Sequence, residues 1–204
     1  MLSQITKEFP RLKRVDSYIR RLLEKLPQGL YYHNADHTLN PKSGVVVIAD
    51  NISRLEDLND LQRELVLVSA YFHDTGFKIS NKDNEPHGAQ IASGILPSLG
   101  YSSEDLKTVK SMILSTDTKV QPKNLLEKIL KDADTDNLGR NDFFEKNTLL
   151  RKELGITDII SWYEQTIKFL KSHSYYTQTS KNLRKQKKAE NLQEVKRILQ
   201  ELTI

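Results

Sequence analysis

The chain has 204 residues, of which 37% are hydrophobic and 28% are charged, and this much apolar material suits a single core. No apolar run approaches the roughly 20 residues that a membrane span needs. Because the chain has no cysteine, disulfides, thiolate metal sites and cysteine nucleophiles are excluded. Residues 181–204 hold seven basic and three acidic residues, which equals the net charge of +4 of the whole chain.

The first residues carry charges where a secretory signal needs an apolar stretch, as the segment MLSQITKEFPRLKR shows. We therefore expect a cytoplasmic protein without a membrane partner.

Apolar residues at helical spacing occur along the whole chain. They predict helices over about residues 12–26, 36–58, 60–73, 85–96, 103–115, 122–138, 141–154, 158–172 and 181–202. The second helix is expected to be bent or interrupted near Pro41 and Gly44. Its β-branched run Val45–Ile48 could form a strand, but Ile52 and Leu55 continue the helical spacing. We predict one all-α domain of eight or nine helices over residues 1–204.

Two histidines lie four residues apart near the start of the second helix, in the segment YHNADH. If this segment is helical, His33 and His37 share one face. That spacing suits two metal ligands, or one ligand and one proton donor. The alternative is a hydrogen-bonded pair of histidines at a helix start.

His73 and Asp74 close a buried helix between Phe72 and Gly76. Neighbours on a helix point about 100° apart, so both can bind one ion only near the helix end. The partial negative charge of a helix C-terminus also favours a cation there. The alternative is a capping histidine beside a solvated aspartate.

Three aspartates, Asp132, Asp134 and Asp136, cluster at the end of the sixth predicted helix. Three carboxylates in five residues repel one another unless a cation is near. A solvated helix end is the alternative.

The order of these residues is more specific than any single one. A histidine, a His-Asp pair and a distant aspartate, each on its own helix, resemble the HD-domain superfamily of metal-dependent phosphohydrolases over about residues 30–140. Residues 32–37 are similar to the motif of the cyclic-nucleotide phosphodiesterase branch, and residues 72–76 to the name-giving motif. Residues 132–139 resemble the distal motif of small stand-alone predicted HD phosphohydrolases.

The resemblance implies a helical HD-domain bundle in which one divalent metal ion is bound by His37, His73, Asp74 and Asp134. It also implies that His33 donates a proton to the leaving group, and Asp74 or Asp134 could orient the attacking water. Mixed histidine and carboxylate ligation suits Mn, Fe, Ni, Co or Zn better than Mg. Asp132 and Asp136 are expected to support the site.

The sequence departs from the dinuclear members of the superfamily, which carry two further histidines between the His-Asp pair and the distal aspartate. Here only His87 lies in that interval, and residues 111–119 contain Asp117 instead. We therefore expect one metal ion, with a second ion through Asp74, His87 and Asp117 as the alternative. His87 and Asp117 are otherwise candidates for contacts with the substrate.

Arg184 and Lys188 lie four residues apart on the basic helix predicted over about residues 181–202. If this helix packs on the motif core, they would bind phosphate groups of the substrate. A solvated basic face is the alternative.

The sequence thus favours a phosphohydrolase that acts on a small phosphorylated metabolite, preferably a nucleotide. The bond could be a monoester, a cyclic diester or a pyrophosphate. A second hypothesis is an HD-fold module that binds a nucleotide without turnover. A third is a nucleic-acid protein that uses residues 181–197, which is disfavoured because aromatic residues for base stacking are missing from that segment.

Overall fold

The helical spacing of apolar residues yields α-helices throughout residues 2–203, which the computed structural model describes, and no β-strand occurs in that range. The α-helices are α1 (Leu2–Glu8), α2 (Pro10–Leu23), α3 (Ala35–Leu39), α4 (Val45–Leu55), α5 (Asp60–Phe72), α6 (Asn84–Ile95), α7 (Ser103–Ser115), α8 (Leu125–Asp134), α9 (Phe143–Glu153), α10 (Ile159–Ser172) and α11 (Gln178–Leu202). Short 3₁₀ helices lie at Thr75–Lys78, Leu96–Leu99 and Asp136–Gly139. None of the helices in this range combines the length and the hydropathy that a bilayer span requires.

The predicted all-α class is confirmed, but the described residues form eleven α-helices rather than eight or nine. One additional helix is α1, which ends before Pro10. The other arises because the second predicted helix divides into α3 and α4. Asn40 leaves the helical conformation with ψ 128°, since the residue before a proline is disfavoured in the α region. The run Val45–Ile48 is helical, as predicted.

The larger core lies around α5, which is apolar or buried on nearly every side. Ten of its residues are buried, among them the fully enclosed Tyr71 and Phe72. A helix that is buried all round belongs in the centre of a fold. Helices α1, α2, α4, α6, α7 and α8 supply most of the other residues of this core. Helix α5 therefore places the two residues that follow it, His73 and Asp74, in the interior.

A smaller core holds the C-terminal helices together. It contains Leu138, Phe143, Leu170 and Val195, with Leu192 packed against it. These residues come from the last 3₁₀ helix and from α9, α10 and α11. We call these C-terminal elements the second layer. The second layer begins directly after α8, so the end of α8 lies between the two cores.

Candidate metal centre

Three helix ends meet where the sequence predicts a metal site. His37 lies in α3, whose first turn is capped by the Asn34 side chain, which accepts a backbone N–H at 2.9 Å. His73 directly follows the last residue of α5, and Asp74 starts the turn after it. Asp134 is the last residue of α8. The four side chains therefore come from three segments of the chain.

The four side chains approach one another closely, and we call them the His–Asp cluster. His37 Nε2 lies 3.0 Å from Asp134 Oδ1 and 3.4 Å from His73 Nε2. Asp74 Oδ2 lies 3.1 Å from His73 Nε2 and 3.5 Å from His37 Nε2. Asp134 Oδ1 lies 3.6 Å from His73 Nε2. The possible ligand atoms of His37, His73 and Asp74 all lie within 4.8 Å of one another. Asp134 is outside that group and approaches it through the ring nitrogens of His37 and His73.

This donor set fits a divalent metal ion. Ligands about 2.1 Å from an ion and at right angles to each other are about 3 Å apart, which is close to the separations in the cluster. Asp74 Oδ2 is buried and has no hydrogen-bond partner within residues 2–203. A buried carboxylate oxygen without a partner is costly, and a bound cation would satisfy it. Mixed nitrogen and oxygen ligation suits transition metals better than Mg²⁺.

The imidazole of His73 is fixed in the orientation that ligation requires. Its side chain is fully buried, and Nδ1 lies 2.8 Å from the carbonyl oxygen of Ala70. Nδ1 therefore donates its proton to that carbonyl, so Nε2 is the ring nitrogen directed at the cluster and the one that would bind an ion.

Both aspartates of the cluster are ionised at neutral pH. Burial raises the pKa of the Asp134 carboxyl, but the hydrogen bonds and charges of His37 and His73 outweigh burial and hold this pKa well below its usual range. Burial also raises the pKa of Asp74, and the charge of His73 is the main cause that lowers it by more. The ionised form is the one that binds a cation.

Gly76 permits the sharp turn that holds Asp74 in place. A Cβ atom at this position would lie 1.8 Å from the carbonyl oxygen of Asn84, which belongs to α6. Only glycine therefore allows α6 to pack directly on the 3₁₀ turn after the His-Asp pair.

His33 lies beside the cluster rather than in it. It precedes α3, in the turn that Asn34 caps, so it does not share a helix with His37. The His33 and His37 ring centroids are 5.9 Å apart, with an interplanar angle of 84°. The ring of His33 stacks on Phe77 at 4.5 Å between centroids.

Glu153 at the end of α9 holds His33 from the other side. Its Oε2 accepts the backbone N–H groups of Tyr32 and His33 at 2.7 and 3.0 Å, and its Oε1 pairs with His33 Nδ1. The Glu153 side chain is only 6% exposed. Burial lowers the pKa of His33, but the bond with Glu153 and the field of Asp74 raise it by more, so the net shift is upward.

Asp132 and Asp136 hold the second layer in place, in agreement with the supporting role expected for them. Asp132 accepts the backbone N–H groups of Tyr176 and Thr177, both at 2.8 Å. Asp136 Oδ1 accepts from Arg184 Nε at 2.6 Å. These bonds join the end of α8 to the start of α11.

The four predicted substrate-binding residues are not part of the His–Asp cluster. The half-buried His87 on α6 donates and accepts no side-chain hydrogen bond within the described range, and Asp117 accepts the backbone N–H of Lys119 at 2.9 Å. The second metal site through Asp74, His87 and Asp117 therefore has no support from the geometry of the described residues, where the potential ligand group contains Asp74 but neither of the others.

Arg184 and Lys188 are engaged by groups outside the cluster. The guanidinium of Arg184 pairs with Asp136, and the ammonium of Lys188 donates to the carbonyl oxygen of His173. Neither side chain contacts a residue of the His–Asp cluster.

Sequence analysis missed Glu153 and Lys146, which lie seven residues apart on one face of α9. Lys146 lies close to the cluster, and its Nζ is 2.7 Å from Asp36 Oδ2. The 3.6-residue repeat of α9 aligns the two with Phe143 and Leu150, so polar residues inside an apolar stripe were the available signal.

Sequence analysis also missed Glu85 on α6. Burial and the nearby carboxylates raise the pKa of its side chain.

Two cavities open beside the cluster. An apolar cavity of about 420 Å³ touches His33 and is lined mainly by aromatic and aliphatic side chains, including Trp162 and Phe169. A more polar cavity of about 280 Å³ reaches Asp134 and is lined by hydroxyl and amide groups, including Thr116 and Gln121. The residues Thr118 and Phe169 border both cavities.

Comparison with known proteins identifies two similarities. The family model "HD domain" matches residues 35–136, a segment that contains the whole His–Asp cluster but not His33. The crystal structure of a predicted HD superfamily hydrolase from an uncultured Thermotogales bacterium is similar over 99% of each chain, with a TM-score of 0.68 and 21% sequence identity. This second similarity shows a shared fold. No curated protein matches the chain in sequence.

Proposed function

The chain belongs to the HD-domain family of metal-dependent phosphohydrolases, and from this membership we propose that it hydrolyses a phosphate ester of a small metabolite, with a nucleotide as the favoured substrate. The observation that carries the proposal is the His–Asp cluster, in which each carboxylate oxygen lies 3.0–3.6 Å from the Nε2 atoms of His37 and His73, and these two nitrogens are 3.4 Å apart. Their spacing and their ionisation suit one divalent ion.

A divalent ion, when bound, supplies charge neutralisation at the phosphoryl oxygens and a water of lowered pKa. The protein supplies the geometry around it. His37, His73, Asp74 and Asp134 would hold the ion, and the buried Asp74 would also orient the attacking water. Because most of α5 is buried, the two ligands that directly follow it, His73 and Asp74, are held by a rigid element.

In the proposed mechanism His33 protonates the leaving oxygen. Its Nδ1 is bound to Glu153, so Nε2 is the atom free to donate. Burial opposes the charged imidazolium, but Glu153 and the neighbouring aspartates raise the pKa of His33 above its ordinary value. The protonated donor is therefore available near neutral pH.

The apolar cavity beside His33 supports a substrate with a large planar or apolar group. Its volume of about 420 Å³ lies in the range of pockets that bind small molecules. With the phosphate at the His–Asp cluster, a nucleobase would pack against Trp162 and Phe169. The polar cavity at Asp134 offers hydroxyl and amide groups for a sugar.

Nucleotide binding without turnover is the alternative function. A pure sensor needs neither a proton donor nor the buried carboxylate that holds it. The pairing of His33 with Glu153 therefore favours the enzyme.

The test is hydrolysis of nucleoside monophosphates, diphosphates and cyclic monophosphates by the metal-free protein after addition of Mn²⁺, Ni²⁺, Co²⁺ or Mg²⁺. We expect turnover with a transition metal, and a loss of kcat of about 10²–10⁴ in His33→Gln with metal still bound. Phe169→Ala should raise KM for the nucleotide but not for glycerol phosphate, which has no base. Metal binding without hydrolysis of any ester would favour the sensor instead.

A further inference from the structure

A third cavity, of about 480 Å³, lies between α10 and α11, away from the ligands of the proposed metal site. Four lysines line it, Lys171, Lys181, Lys185 and Lys188, and we call it the lysine cavity. No carboxylate lines it. Its remaining wall includes the apolar side chains of Leu170, Tyr175, Ala189 and Leu192.

The positive charge at this cavity is not neutralised by the protein. Lys171, Lys181 and Lys185 form no ion pair with any residue in the range 2–203. Of the basic residues of α11 outside the cavity, Arg184, Lys187 and Arg197 are paired with carboxylates, and Lys196 is not. Most unpaired charges of the basic segment therefore lie where the structure has a concave surface, and a concave basic surface focuses potential on an anion.

Two polar side chains of the cavity wall, Lys188 and His173, differ in their hydrogen bonds. Lys188 Nζ donates to the carbonyl oxygen of His173 and lies 5.8 Å from the centroid of the Tyr175 ring. His173 Nδ1 is buried and has no hydrogen-bond partner among the described residues. Since buried polar atoms are nearly always satisfied by protein, water or a ligand, this atom marks a place for a further polar group.

We propose that the lysine cavity binds a small organic phosphate with at least two negative charges, as a site separate from the metal centre. The three unpaired lysines would neutralise the phosphates. Leu170, Leu192 and Tyr175 would pack against the organic group. A cavity of this volume suits a small molecule, whereas binding of a nucleic acid needs a basic stripe that follows a long backbone.

The site goes beyond the proposed function because none of the cluster residues lines it. His173 and Ser174 form a wall that the lysine cavity shares with the polar cavity at Asp134. The two sites are therefore neighbours, and the experiment has to distinguish a separate ligand from one end of the substrate.

The test is isothermal titration calorimetry of metal-free protein with ADP and, separately, with inorganic pyrophosphate. We expect ADP to bind more tightly than pyrophosphate, because the base gains contacts with the apolar wall. The double variant Lys181→Ser, Lys185→Ser should weaken ADP binding at least tenfold. The matched control, Lys168→Ser with Lys187→Ser, removes the same total charge from α10 and α11 outside the cavity and should change affinity less than twofold.

Equal losses in the two double variants, or no loss in the first, would overturn the proposal. Pyrophosphate that binds as tightly as ADP would overturn the role of the apolar wall.

The Asp74→Asn variant should bind ADP with unchanged affinity, and loss of binding in this variant would assign the lysine cavity to the substrate site. A single-stranded 12-nucleotide DNA that binds more tightly than ADP, with the same lysine dependence, would assign it to nucleic acid. These titrations do not depend on turnover, so they stay informative if the protein proves not to be a hydrolase.

Discussion

At the scale of single residues, His73 illustrates how burial and hydrogen bonding prepare a ligand before any ion binds. The Ala70 carbonyl fixes one ring nitrogen, and full burial fixes the rotamer. The other ring nitrogen, Nε2, is thereby held 3.1 Å from Asp74 Oδ2 and 3.6 Å from Asp134 Oδ1. Such preorganisation lowers the entropic cost of ion binding.

Removal of one carboxylate from the cluster should weaken metal binding. We expect Asp74→Asn to lower Mn²⁺ affinity at least tenfold, because an amide oxygen carries no charge and the variant loses a ligand. Equilibrium dialysis measures the affinity. Asp83→Asn, a change on the exposed surface, is the control and should leave the affinity within twofold of the wild type. Equal Mn²⁺ binding by wild type and Asp74→Asn would remove Asp74 from the ligand set.

Glu153 should act on the reaction through His33. We expect Glu153→Gln to lower kcat by about tenfold with little change in KM, since the substrate itself is not contacted. The carboxylate raises the pKa of His33, so its loss should lower that pKa. The protonated donor is then lost at lower pH, and the alkaline limb of the kcat–pH profile should move to lower pH.

The measurement is the kcat–pH profile of both proteins, together with their metal content. An unshifted alkaline limb combined with reduced metal content would mean that Glu153 only supports the fold.

At the scale of helices, close backbone contacts decide which segments can meet. The packing of the smaller core depends on Gly139. A Cβ atom added at Gly139 would lie 2.6 Å from the Cβ atom of Arg184 and 2.6 Å from its carbonyl oxygen. Helix α11 therefore packs directly on the 3₁₀ helix that follows α8. Sequence patterns indicate glycine positions, but not the partner that approaches them.

Gly139→Ala should destabilise the protein by about 1–3 kcal/mol, because the backbone of α11 cannot move away without disturbing the smaller core. Gly94→Ala is the matched control, since nothing lies within 4 Å of the added Cβ there and Gly94 is inside α6. That change should stabilise by about 0.5–1 kcal/mol. Urea unfolding measures both, and equal midpoints for the two variants would contradict the predicted clash.

Helix boundaries show what sequence reasoning captured at this scale. The spacing of apolar residues predicted α5, α7 and α10 within a few residues, because each has one continuous apolar stripe. It gave α3 and α4 as one helix, bent or interrupted near Pro41 and Gly44, and the non-helical conformation of Asn40 before Pro41 makes that interruption a complete break. It also placed the end of α8 too late, because the 3₁₀ helix Asp136–Gly139 extends a helical pattern with a different geometry.

At the scale of the whole molecule, the candidate site depends on contacts between distant parts of the chain. The His–Asp cluster residues could be predicted from their order along the sequence. The pairing of His33 with Glu153 could not, since the two lie 120 residues apart and the polar position of Glu153 in the apolar stripe of α9 does not indicate its partner. The same limit applies to the lysine cavity, which requires α10 and α11 to lie side by side.

A network of charges also ties α1 to the main core. The buried guanidinium of Arg63 donates to Glu8 and to Asp50, and Arg54 also pairs with Glu8. The hydrogen bond with Arg63 lowers the pKa of Glu8 from 4.5 to about 2, against a smaller opposing effect of burial. A depressed pKa means that the stabilisation is present above pH 4.5 and is lost as the pH falls towards 2.

Glu8→Gln should therefore lower the melting temperature at pH 7, and the difference from the wild type should shrink as the pH falls from 4.5 to 3. Thermal unfolding at several pH values measures the difference. Glu164→Gln, which removes an exposed carboxylate outside any ion pair in the described range, is the control. A Glu8→Gln difference that is constant with pH would show that the network is not the cause.

The most direct test of the metal centre is the anomalous diffraction of crystals soaked in Mn²⁺. We expect one strong peak per chain, with His37, His73, Asp74 and Asp134 each within about 2.0–2.3 Å of it. A peak at another place, or an Asp134 carboxylate that does not contact the ion, would contradict the proposed metal site and the hydrolytic mechanism built on it.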